Sequence, residues 1–255
     1  MEFSAATMAL IAVTTFAAAI IGGMGGFGTG IMLTAVLTPI LGIKAVVPIL
    51  GVAGIVINVG RFWFYRYDFN RHAVMLILPP ALVLLMLGTW LFQRLNAGYL
   101  SILIGAIVIA AVPLRRILHA KELRVGNTGL VVGGGVFGVL NGLASGMGVV
   151  LVSLLMGAGL TGTAVLATDA LITIAVDISR SLLFGKLNVM PEVGVVMGVA
   201  VGLASLPGSW VASRLVNRLG AKLHILVIDA LISVGGISLI YHGIYHGIRA
   251  LQVLQ

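Results

Sequence analysis

The sequence predicts an all-α polytopic membrane protein built as two inverted-topology repeats, each opening with a glycine-broken helix or a re-entrant hairpin, with about eight to ten membrane segments in all. Composition is the first reason. Of 255 residues 60% are hydrophobic and 9% charged, whereas an ordinary soluble domain carries about 25% charged residues. Second, apolar stretches of roughly bilayer-spanning length, about 20 residues, follow one another along the whole chain. Third, one gapless shift of 120 positions lays the first half on the second.

The apolar segments of the first half are Ser4 to Ile21, a glycine-rich break, Ile31 to Leu41, Ala45 to Val59, Ala73 to Phe92 and Tyr99 to Leu114. The second half repeats the series as Thr128 to Leu140, a break, Val149 to Leu160, Thr163 to Ile178, Val193 to Ala212 and Leu223 to Tyr241. The first segment carries Glu2 and no basic flank, so it reads as a membrane segment and not as a cleavable leader. The shift of 120 pairs Gly22, Gly26, Gly28 and Gly42 with Gly142, Gly146, Gly148 and Gly162. It also pairs Phe64 with Phe184, Trp90 with Trp210 and Arg94 with Arg214, which matters more because glycine is common in membrane helices and matches itself by chance. Residues 1–120 are therefore expected to form one membrane repeat and residues 121–255 the other, within a single integral domain.

The net charge of +8 sits between the apolar segments with no basic run interleaved with aromatics, so it speaks for topology and against nucleic acid. The basic loops around Arg61 to Arg71, Arg115 to Arg124 and Arg214 to Lys222 fall on one side, which places both termini outside. The loop after Tyr65 is then inside and its mate around Lys186 outside, so each half crosses an odd number of times and the halves are inverted. Parity leaves open whether each opening pair makes two crossings or one re-entrant hairpin. The chain has no cysteine, which excludes disulfides, thiol catalysis and thiolate metal sites.

The two breaks read GGMGGFGTG (Gly22 to Gly30) and NGLASGMG (Asn141 to Gly148), each ahead of an apolar run of about a dozen residues, short for a full span. A half-helix starting inside the membrane aims free N–H groups and a positive dipole end at whatever lies there. Paired broken helices in corresponding repeat positions point to a transport site, although any single glycine is more readily a helix-packing residue. Gly25, Gly26, Gly28 and Thr29 in the first break, and Asn141, Ser145, Gly146 and Gly148 in the second, are the candidate substrate-binding residues. Freed carbonyls would instead suit a cation.

These motifs resemble the sulfite exporter TauE/SafE family of membrane transporters. The matching residues are Gly22 to Gly28 with Pro39 and Ala45, then Gly142 to Gly148 with Ala164, Val165, Ala167 and Thr168, and the likeness covers nearly the whole chain. Val47 and Pro48 replace the Ala-Thr pair of the first half, and the second short run lacks a proline. The resemblance implies export or uptake of small anions such as sulfite or organosulfonates, in a bacterial cytoplasmic membrane.

Charged residues inside apolar stretches are the remaining candidates, since insertion scales put their cost at about 2.5 kcal/mol or more. Asp177 and Arg180, three apart, share a helix face and either neutralise each other or hold a substrate anion on Arg180. Asp169, with no basic residue near it in sequence, is the leading proton-coupling candidate, with Asp177 second. Arg61 reads as snorkelling to the interface. Asn58 and Arg61 correspond to Ile178 and Ser181, so the site is expected to be asymmetric. His242 and His246 have helical spacing but no third ligand nearby, so no metal and no cofactor is expected.

The expected function is secondary transport of a small anion by alternating access, passive or proton-coupled, since no Walker motif is present to use ATP. An anion channel or a non-transporting membrane subunit is the alternative. No enzyme is expected, because Ser145 has no histidine in the apolar core to activate it. The expected partners are the anion and the lipid bilayer, with a homodimer left open.

Overall fold

A bilayer offers backbone amides no partner but each other, and the chain is helical, with no strand among the described residues. The computed structural model describes residues 11–20, 29–120, 124–215 and 233–245. In order the helices are α1 (Ile11–Ile20), α2 (Thr29–Leu41), α3 (Ile43–Tyr65), α4 (Arg71–Arg94) and α5 (Ala97–Ala120). There follow α6 (Asn127–Leu143), α7 (Gly148–Gly157), α8 (Thr163–Lys186), α9 (Gly194–Leu215) and α10 (233–245). By length and composition α3, α4 and Gly194–Val211 of α9 can cross a membrane. α8 is as long as α4 but carries Asp169, Asp177 and Arg180 in its interior.

The short helices α2 and α7 each lead into a long one, and glycine makes the corner. Gly42 before α3 has φ 77° and Gly162 before α8 has φ 57°, left-handed conformations in which a side chain would be strained. These two corners lie 120 positions apart, as do the first residues of α3 and α8. Two stacked pairs also lie 120 positions apart: Arg94 lies over Trp90 with 5.5 Å to the ring centroid, and Arg214 over Trp210 with 4.2 Å.

Packing joins the halves crosswise. On α6, methyl groups at Gly134, Gly138 and Gly142 would run into the α4 backbone at Ile77, Ala81 and Leu85 respectively, so the glycines let α6 and α4 run side by side in the same direction. Gly88 of α4 meets the Val139 backbone of α6, and Gly208 of α9, 120 positions on, meets Phe16 and Ala19 of α1. The opening helix of each half thus docks on the other half. Between these two pairs lies the α3–α8 seam, where Gly51 faces Arg180, Gly54 faces Asp177 and Arg61 bonds Asp169. Numbers rise on α3 as they fall on α8, so the two helices run antiparallel.

Two segments depart from the expected bounds. The expected Thr163–Ile178 segment continues to Lys186, because Asp177 and Arg180 pair internally at 2.9 Å and do not end the helix. The expected Val149–Leu160 run stops at Gly157, followed by a turn at Gly159 with φ 89°. The Val125 N–H donates to the Gly157 carbonyl, so the α6–α7 hairpin ends beside the point where it began. Its arms are unequal: α6 has 17 residues and α7 has 10, or roughly 25 and 15 Å at 1.5 Å per residue.

At the far end of the seam Lys44 donates to the carbonyls of Phe92 and Gln93, the last turn of α4. Phe92 packs there on Phe184 with ring centroids 4.9 Å apart.

Gly138→Ala forces its methyl onto the Ala81 carbonyl, and we expect thermal unfolding in detergent to register a loss of roughly 1–3 kcal/mol. Gly185→Ala, at a position with nothing within 4 Å, should leave the midpoint unchanged or slightly higher.

Candidate functional site

The second break ends α6 at Leu143 and starts α7 at Gly148, leaving Ala144 to Met147 outside any helix. Gly146 has φ 89°, and its backbone lies against the start of α2: a methyl on Gly30 would sit 2.7 Å from the Gly146 Cα. Only glycine at both positions allows this approach, which brings the N-terminal ends of α2 and α7 to one place. The first-turn N–H groups of a helix have no partner within it, and no side chain caps α7 at Met147.

Below these helix ends is a cavity of about 70 Å³. A water requires only about 10–15 Å³ on that measure, so the space admits several waters or a small anion. Thr29 and Gly30 of α2 line it, with Ser145 and Gly146 of the break and Gly148 of α7. Gly54, Asn58 and Arg61 of α3 and Asp169, Thr173 and Asp177 of α8 form the opposite walls, and Asn141 reaches in from α6. Asp169, Thr173 and Asp177 recur every fourth residue, one helical face turned inward.

Two ion pairs flank the cavity. Arg61 Nη1 donates to Asp169 Oδ2 at 3.0 Å, and Arg180 Nη2 donates to Asp177 Oδ1 at 2.9 Å. Arg180 is spent on structure. Nη1 donates to the carbonyls of Asn141 (2.7 Å) and Ala144 (3.1 Å), and Nη2 also to Ser145 Oγ (3.2 Å), with the residue 1% exposed. These carbonyls belong to the broken end of α6, so the guanidinium supplies donors that lipid cannot. Asp177 fits because Gly54 faces it without a side chain. The Asp169 Oδ1, Thr173 Oγ1 and Asn141 Oδ1 atoms are buried without a hydrogen-bond partner.

The fold gathers Thr29, Asn141, Ser145, Gly146, Gly148, Asp169 and Asp177 around this one cavity. Gly25, Gly26 and Gly28 lie outside the described residues. Arg180 does not line the cavity, since its hydrogen bonds turn it to the α6 break. Arg61, read from sequence as an interfacial side chain, does line it, and it is the basic partner that Asp169 lacks locally, 108 positions away. Thr173 was missed, although its four-residue spacing from both aspartates marks the face. Thr168 accepts the Asn70 N–H while Asn70 Oδ1 caps α4, so the Ala-Thr segment ties α8 to the start of α4. His246 of the spaced histidine pair lies outside the described residues, and the described residues hold no cluster of metal-ligating side chains.

A family model described as Sulfite exporter TauE/SafE matches residues 10–239. No curated protein and no solved structure matches the chain.

Arg180→Met strands Asp177 and two carbonyls in the interior, a change expected to cost roughly 3–5 kcal/mol of stability. Pairing it with Asp177→Asn should recover part of that loss in the same thermal melt, because no uncompensated charge then remains.

Proposed function

Because the chain belongs to the TauE/SafE sulfite exporter family, we propose that it is a secondary transporter that moves a small anion across the bacterial cytoplasmic membrane. The anion is sulfite, a sulfonate or a related sulfur-containing or organic anion. Transport is by alternating access, passive or proton-coupled, with two inverted repeats rocking about the cavity at the α3–α8 seam. The observation that carries the reading is the meeting of the α2 and α7 N-terminal ends beside Arg61 at a cavity of oxyanion size. Positive helix ends and a guanidinium together favour a negative ligand. The antiparallel course of α3 and α8, which start 120 positions apart, supports the inverted relation. The basic side chains flanking the α3–α4 turn, Arg66 and Arg71, orient that turn to the cytoplasm, with both termini outside.

Arg61 takes the role first assigned to Arg180. An oxyanion in the cavity receives hydrogen bonds from the guanidinium, from Ser145 and Thr29 hydroxyls and from N–H groups of the helix ends. Asp177 and Arg180 hold the break in shape around it.

The test is thermal stabilisation of the detergent-purified chain by sulfite, thiosulfate, sulfoacetate, taurine, short carboxylates and chloride. A ligand at 100 times its Kd adds about 2.7 kcal/mol to the folded state. We expect a saturable shift with a sulfur oxyanion or sulfonate that disappears in the Arg61→Gln/Asp169→Asn double variant, where neither charge is left unpaired. Stabilisation by sodium or an organic cation, with none by any anion, would overturn the reading.

A further inference from the structure

Among the described residues the charges around the cavity cancel: Arg61 pairs with Asp169 and Arg180 with Asp177. An anion arriving alone would therefore leave a net negative charge in a largely buried site, which is unfavourable in a low-dielectric interior. Of the two arginines only Arg61 lines the space, so an oxyanion that bonds it must share or take over the guanidinium hydrogen that Asp169 Oδ2 accepts. The Arg61 side chain is 17% exposed against 1% for Arg180, and so it is the arginine an incoming ligand can reach.

Asp169 is already held on one side only. Its Oδ1 has no donor, nor do the Thr173 hydroxyl oxygen one turn on and the Asn141 side-chain oxygen have partners. All three residues line the cavity, and Asp169 and Asn141 are 2% and 3% exposed. These three buried oxygens accept no hydrogen bond in the structure, and only the Thr173 hydroxyl among them carries a hydrogen of its own. A proton on Asp169 changes that: the carboxylic acid donates to a neighbouring oxygen, and the carboxyl no longer depends on Arg61.

Resting on the anion-transport reading above, we infer that the cavity is a co-binding site in which each oxyanion taken up by Arg61 is accompanied by one proton on Asp169. The proton comes from the aqueous phase and binds a carboxylate oxygen as the Arg61 hydrogen bond passes to the substrate. For a monoanion, loading is electroneutral. Among the described residues no other ionisable group stands ready to take that proton. The described helices α2, α6 and α7 contain none, α3 adds only Lys44 and Tyr65, and α9 only Arg214. On α4 the ionisable groups are Arg71, His72 and Arg94 at its ends, with His72 bonded to Asn127. α8 itself adds Asp177, held by Arg180, and Lys186 at its end.

The experiment uses proteoliposomes of the full chain with a trapped pH dye. The external anion is ethanesulfonate or thiosulfate, each fully ionised near neutral pH and therefore unable to carry its own proton as sulfite does. The expected result is saturable uptake with about one proton per anion, as single-site occupancy requires. Asp169→Asn should retain anion binding by thermal shift while proton movement stops. Thr173→Val keeps the Arg61–Asp169 pair and should slow proton-linked uptake by up to about tenfold, the loss of one hydrogen bond. Saturable anion uptake without proton movement, or uptake that needs sodium instead, refutes co-binding and leaves the transport reading standing. Neither binding nor uptake of any anion in the panel refutes the transport reading, and this inference with it.

Discussion

The buried guanidinium of Arg180 is the interaction on which the rest of the structure depends. A helix that stops inside a membrane leaves carbonyls with no water to bond. Arg180 meets that demand at Asn141 and Ala144, and it is itself neutralised by Asp177 at 2.9 Å. Because the arginine sits on α8 and the carbonyls on α6, one side chain fixes the break to the seam. Gly51 and Gly54 of α3 leave the volume the pair occupies. The cavity is the space left between a break held by Arg180 and a seam tied at one end by the Arg61–Asp169 pair.

Scaffold and chemistry follow different rules in this chain. The scaffold repeats: corners at Gly42 and Gly162, stacked pairs at Trp90–Arg94 and Trp210–Arg214, close approaches at Gly88 and Gly208. The charged groups around the cavity do not. At the shift of 120, Arg180, Asp177 and Asp169 correspond to Gly60, Ile57 and Ile49, and Arg61 corresponds to Ser181. Small residues on α3, Gly51 and Gly54, make room for the ionised groups of α8, so the site is lopsided.

Much of the framework was legible because it rests on period and composition. Apolar length marked the segments, and the two Trp–Arg pairs 120 positions apart both stack in the structure. The break at Asn141 to Gly148 was legible too, and so was the Asp177–Arg180 pair, whose partners are one helical turn apart. What escaped is long in sequence and short in space. Asp169 looked partnerless because Arg61 comes from another helix, and Arg61 looked interfacial because it is near the end of α3. Charge at a helix end has the same sequence pattern whether it reaches to headgroups or inward, and packing alone decides. The fate of Arg180 also depended on three-dimensional detail, since nothing in sequence says that the carbonyls of α6 need donors from α8. Glycine was ambiguous for the same reason: Gly134, Gly138 and Gly142 serve α4 packing, while Gly146 serves the site.

The crosswise docking of α6 on α4 and of α1 on α9 has a consequence for how the protein is made. Ribosomes deliver the chain from its N-terminus at about 5–20 residues per second, so α4 is in the bilayer before α6 has been synthesised. Until then its small-residue face at Ala81 and Gly88 meets lipid. α1 waits longer still, for a helix nearly at the end of the chain. Helices early in the chain cannot complete this packing until later ones thread in beside them, so the chain forms one cooperative unit assembled late, not modules assembled in turn.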